Sequence, residues 1–137
     1  LYRTVCGKLE SKEPYTVAAS LRFLKIFAKD YKPKEELLEI VSRVESGHPQ
    51  VQFEQVTLLR SLVGESSRLP EPLLQRLLDS PSWIVSRTTY VLIGKLQNEP
   101  LRHELVRRYQ ATKGEREQLL LINALRFHLD PKEAPMF

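Results

Sequence analysis

The chain has 137 residues, 42% hydrophobic and 28% charged, with a formal net charge of +4. That length and balance describe one folded domain with a real core and exclude a chain disordered throughout. A single cysteine, Cys6, excludes an internal disulfide and any multi-cysteine metal site, and it suits a reducing, cytoplasmic setting.

In chain order the pattern alternates short and long helical segments. Short segments are predicted near 1–11, 33–46, 70–79 and 99–111, and long ones near 14–30, 49–64, 81–97 and 113–128. Pro14, Pro49 and Pro81 each open a long segment, and Thr112 opens the fourth. Proline suits a first helical position because the N–H it lacks has no partner there. Ser80 and Asn98 are the expected N-caps of the segments that follow them. Thr112 and Glu115 read as a capping box, and Gly47 and Gly64 as glycine stops. Acidic residues such as Glu35 and Glu36 crowd first turns, where the helix dipole favours them. Tight links within each short–long unit predict four two-helix units. The segment 130–137 carries two prolines and is expected to be an irregular tail behind a single domain over 1–129.

Aligning the long segments on Pro14, Pro49, Pro81 and Thr112 sorts their faces. Nine residues on stand Phe23, Leu58, Tyr90 and Leu121; ten on, Leu24, Leu59, Val91 and Ile122; thirteen on, Phe27, Leu62, Gly94 and Leu125. These columns share one side of a helical wheel and predict the buried face. The columns five, eight and eleven on predict the exposed one, including Glu54, Thr89 and Leu92.

Paired helices with proline near helix starts and a period in the thirties resemble HEAT-like repeats. The resemblance covers nearly the whole chain. It implies an all-α fold, a right-handed α-solenoid of about four two-helix repeats. It also implies that the second helices line a surface that commonly binds a partner. The units are shorter than typical HEAT repeats, so no particular family is implied.

Chemistry-bearing patterns are sparse. His48, His103 and His128 have no second His or Cys at helical spacing, and no Gly-rich phosphate loop or nucleophile elbow is present. No metal, cofactor or catalytic residue is predicted. The informative residues lie on the long helices. Arg22, Lys25, Lys29 and Arg60 form an expected basic patch on the first two units. Leu92, Leu96, Leu120 and Phe127 are expected as exposed apolar anchors on the last two. Arg102, Arg107, Arg108, Lys113 and Arg116 form a second basic cluster.

The reading is a non-enzymatic protein-interaction or scaffold domain that presents its long-helix face to a protein partner. Because the chain begins Leu1-Tyr2-Arg3, it is expected to be a piece of a larger protein. The alternative partner is nucleic acid, bound by an accessory domain of a polymerase-like or nuclease-like enzyme. Against it, no aromatic residues interleave with the basic ones to stack bases. A third reading follows the HEAT-like DNA glycosylases. It would need Trp83, Arg87 and a carboxylate to converge, and no aspartate lies on the exposed long-helix face near them.

Overall fold

The computed structural model describes residues 2–30, 34–64, 67–96 and 99–125, with the backbone alone for 27–30, 99–102, 124 and 125. Among these the protein is all-helical. The order is α1 (Tyr2–Gly7), a 3-10 turn (Lys8–Glu10), α2 (Pro14–Asp30), α3 (Lys34–Ser42), α4 (Pro49–Leu62), α5 (Glu71–Leu78), α6 (Trp83–Lys95), α7 (Glu99–Ala111) and α8 (Glu115–Leu125).

Each short helix packs on the long helix that follows it: α1 on α2, α3 on α4, α5 on α6 and α7 on α8. The long helices also pack in a row, α2 on α4, α4 on α6 and α6 on α8. The core lies between this row and the short helices. Leu37 and Val41 reach it from α3, Leu73, Leu74, Leu77 and Leu78 from α5, and Leu105 from α7. On α5 those leucines fall on adjacent turns of one face, which is the spacing that closes a short helix onto a neighbour.

Local chemistry explains the helix starts. Glu13 precedes Pro14; its carboxylate accepts from the Tyr15 N–H at 3.2 Å and its carbonyl from the N–H groups of Thr16 and Val17. His48 caps α4, its Nδ1 accepting from the Gln50 N–H at 3.2 Å. Two predicted starts differ. The cap of α6 is Ser82, not Ser80, so Pro81 lies before the helix. Ser80 instead accepts from the Ser82 N–H and donates to Gln52 Oε1 at 2.8 Å. At α8 the Thr112 hydroxyl takes the Gly114 N–H, so the predicted capping box does not form, and the first helical turn hangs on the Gly114 carbonyl. Asn98 lies outside the described residues.

The ends also differ. The glycine stops do not form, because α3 ends at Ser42, α4 ends at Leu62, and no described glycine takes a positive φ. The open carbonyls of α3 are met from elsewhere. Gln55 Nε2 donates to the carbonyls of Val41 (2.9 Å) and Val44 (2.8 Å), and Arg76 adds a bond to Val44. The same device recurs along the row. Ser86 donates to the Leu78 carbonyl at the end of α5, and Gln118 to the Thr112 carbonyl beyond α7. Orphan carbonyls at a buried helix end need such donors.

This recurrence corrects the register of α6. Gln55 is six residues after Pro49 and Gln118 six after Thr112, but Ser86 is six after Ser80. Counting from Ser80 turns the wheel by about 100° and places Thr89, Tyr90 and Ile93 in the buried columns. All three are buried, as are Leu92 and Leu96. The expectation that Leu92 and Leu96 are exposed anchors is therefore wrong: both lie in the core.

Candidate functional site

The long helices keep one face toward solvent. With α6 counted from Ser80, three columns of that face read Ala18, Phe53, Ile84 and Arg116; then Arg22, Thr57, Thr88 and Leu120; then Lys25, Arg60, Val91 and Asn123. None of the twelve is acidic. Ala18 is buried, Phe53, Thr57, Thr88, Val91 and Lys25 are half-buried, and Arg60, Ile84 and Arg116 are exposed.

The predicted basic patch is only partly assembled. Arg22 is exposed but bonded: its Nε and Nη2 donate to Glu54 Oε1 at 3.0 and 2.9 Å. The Glu54 side chain is 8% exposed and also receives Gln50 Nε2 at 3.4 Å. Glu54 was expected to face solvent beside Arg22; instead it is buried between α2 and α4 and neutralises that arginine. Lys25 and Arg60 form no ion pair among the described residues. Lys95, not singled out from sequence, extends their line: its Nζ donates to the Arg60 carbonyl at 2.8 Å. Arg60 and Lys95 sit in the last turns of their helices, where the dipole favours them. The backbone of Lys29 continues α2, but its side chain is outside the described set, and Phe127 lies wholly outside it.

The apolar half of the expected site moves. Leu120 is half-buried and packs against the core. Exposed apolar surface comes instead from Trp83, 44% exposed, and Ile84 at the start of α6. The Arg116 guanidinium lies 5.0 Å from the Trp83 ring centroid, a cation–π contact that ties α8 to α6. Pro81 had suggested that α6 starts two residues earlier, which hid this pairing.

A second polar site lies between the end of α5 and the helices α7 and α8. A shallow cleft of about 430 Å³ is lined by Gln75, Asp79, Arg107, Arg108, Thr112 and Glu117. Arg108 bridges Asp79 (3.0 Å) and Glu104 (2.9 Å), and Arg107 pairs with Glu104. Burial pushes the Asp79 carboxyl up, but bonds from Gln75 and Arg108 outweigh it and hold the group below its ordinary value. The Arg107 hydrogen bond leads in lowering Glu104. Tyr90 is pushed up to about 12, first by burial and then by donating to Glu117 at 3.0 Å. Such internal pairing ties α5, α6, α7 and α8 together.

Burial raises the Cys6 thiol, which disfavours the nucleophilic thiolate. Among the described residues no group of three or more His, Cys, Asp and Glu comes together to hold a metal, and no helix is long and apolar enough to cross a membrane.

Neither a family model, nor a curated protein, nor a solved structure matches the chain.

Proposed function

We propose that the chain is a non-catalytic interaction module, a right-handed HEAT-like α-solenoid of four two-helix repeats, whose long-helix face binds an acidic segment of a partner protein. The observation that carries this reading is the composition of that face. Its three solvent-side columns hold Lys25, Arg60 and Arg116 and no carboxylate, with Arg22 paired to Glu54. Trp83, in contact with Arg116, and Ile84 are exposed at the start of α6 as apolar anchors. Cations and exposed apolar anchors on one face suit a partner segment with acidic and apolar residues, the charges steering approach and the anchors holding contact. A reducing intracellular setting belongs to the same proposal and accords with the lone Cys6.

The test is a titration of a labelled peptide that alternates Glu or Asp with Leu and Phe. Binding is expected at low salt, weakening as salt rises. Arg60→Glu and Lys25→Glu are each expected to weaken it several-fold by slowing association. Absence of binding at low salt contradicts the proposal. The line of Lys25, Arg60 and Lys95 specifically favours a second reading, a nucleic-acid accessory domain. In that case a labelled oligonucleotide binds more tightly than the peptide, with a steep salt dependence.

A further inference from the structure

The solvent-side face changes chemistry along its helices. Ile84, Thr88, Val91 and Lys95 stand four, three and four residues apart and form one stripe of α6. Ile84 and Lys95, at the two ends of the stripe, are exposed, and Thr88 and Val91 between them are half-buried. On α4 the matching stripe is Phe53, Thr57 and Arg60, the first two half-buried and the last exposed. Both stripes begin apolar and end in a cation, and neither carries a carboxylate. Thr57 donates to the Phe53 carbonyl and Thr88 to the Ile84 carbonyl, each at 2.7 Å, so the hydroxyl protons in the middle of the stripes are already used.

Two bonds set these stripes side by side. Ser80, just before α6, donates to Gln52 near the start of α4 at 2.8 Å. Lys95, at the end of α6, donates to the Arg60 carbonyl near the end of α4, also at 2.8 Å. Start meets start and end meets end, so α4 and α6 run parallel and the seam between them is polarised. Its first end carries Phe53 and Ile84, and its last end carries the Arg60 guanidinium and the Lys95 ammonium. At a rise of 1.5 Å per residue, the stretch from Ile84 to Lys95 spans about 16 Å. Arg60 forms no ion pair among the described residues. The neighbouring helices lack this polarity. On α2, Ala18 is buried and Arg22 is held by Glu54; on α8, Arg116 stands at the first end, against the Trp83 ring.

We infer that the acidic partner segment lies in this seam, along α4 and α6 rather than across the row, with an apolar residue on Phe53 and Ile84 and carboxylates at Arg60 and Lys95. This placement rests on the acidic-partner reading of the long-helix face. Charge complementarity fixes the carboxylate end, and burial of apolar side chains on both partners holds the other. An extended segment advances about 3.3 Å per residue, so its carboxylate stands about five residues from its apolar anchor. The occupant is a segment of a partner protein in which those two features have that separation.

The experiment titrates the whole chain with two labelled peptides of one composition. The first has Leu-Phe and Glu-Asp on either side of a spacer of about four Gly and Ser residues. The second has Leu-Phe and Glu-Asp adjacent, with the spacer moved to the end. The spaced peptide is expected to bind several-fold more tightly, because it alone reaches both ends of the seam. Ile84→Ser and Lys95→Ala are each expected to remove that advantage, whereas Lys25→Ala, on α2, is expected to keep it. Far-UV circular dichroism checks folding, with Ile84→Thr and Lys95→Gln as milder replacements. Equal affinity for the two peptides, or an advantage that survives Ile84→Ser and Lys95→Ala, overturns the seam and leaves the acidic-partner reading standing. Failure of every acidic peptide to bind at low salt overturns both. A labelled oligonucleotide that binds more tightly than the spaced peptide, and as well to Ile84→Ser as to wild type, also overturns the seam.

Discussion

Phe23 on α2 and Leu58 on α4 occupy the same place in their helices, nine residues after Pro14 and Pro49, yet one is 37% exposed and the other fully buried. Ala19 and Glu54, five residues on, make the same contrast, exposed against buried. The difference lies in neighbours, not in the residues. A helix inside the row packs on long helices from two sides and on its short helix from a third, so only a narrow strip stays wet. Among the described residues α2 packs on a long helix, α4, from one side alone. Amphipathic pattern therefore reports how a helix could bury itself, and position in the row decides how much of it does.

The largest expected break in this comparison comes from truncating the interior. Leu92→Ala removes a fully buried side chain and is expected to cost about 2–5 kcal/mol, read by denaturant melting. Leu119→Ala, at an exposed side chain of α8, is expected to stay within about 0.5 kcal/mol of wild type. Similar losses for both would show that the Leu119 side chain is not exposed.

The next effect concerns the side chains that close the short helices. Gln55 is buried and meets two carbonyls of the α3 end, so Gln55→Ala is expected to cost about 1–3 kcal/mol. Ser86→Ala, which removes one longer bond to Leu78, is expected to cost about 1 kcal/mol or less. Equal losses would undo the claim that interior helices depend on these polar closures in proportion to their burial.

Acid should loosen the α5–α7 contact before the interior of the row. The Asp79 and Glu104 carboxyls titrate below their ordinary values of 3.8 and 4.5. Their contribution is therefore complete above the ordinary carboxylate range and is lost as pH falls through the lowered folded values. Asp79 is exposed enough that the loss is small. Melting temperatures of wild type and Arg108→Ala are expected to differ at neutral pH and to converge in acid. A difference that persists in acid would assign Arg108 a packing role instead.

A small stability effect is also expected at Glu54. Its partner Arg22 is largely exposed, so Glu54→Gln is expected to change stability by no more than about 1 kcal/mol. It frees a cation on the long-helix face, so binding of the acidic peptide is expected to tighten. Weaker binding would mean that the Arg22–Glu54 pair holds the surface in shape.

Much of the architecture is legible in the sequence because its signals are local. Prolines, caps and apolar spacing locate all eight helices, and His48 caps α4 as its place before Pro49 suggests. What escaped is non-local. Nothing near Ser42 announces that α3 stops there, because its carbonyls are met by Gln55, thirteen residues later than Ser42, and by Arg76 from α5. Pro81 resembles Pro14 and Pro49, yet it precedes the cap, and this one-residue shift moves Thr89 from the expected exposed face to the buried one. The pairing of Arg22 with Glu54 depends on the distance between α2 and α4, which no single helix encodes.

The most direct test of the account compares Phe23→Glu with Leu58→Glu by thermal melting followed by circular dichroism. The account predicts that Phe23→Glu melts much closer to wild type and that Leu58→Glu loses cooperative unfolding, because a charge there is buried without a partner. If both variants fold equally well, or both unfold, neighbours in the row do not set burial and the central claim is contradicted.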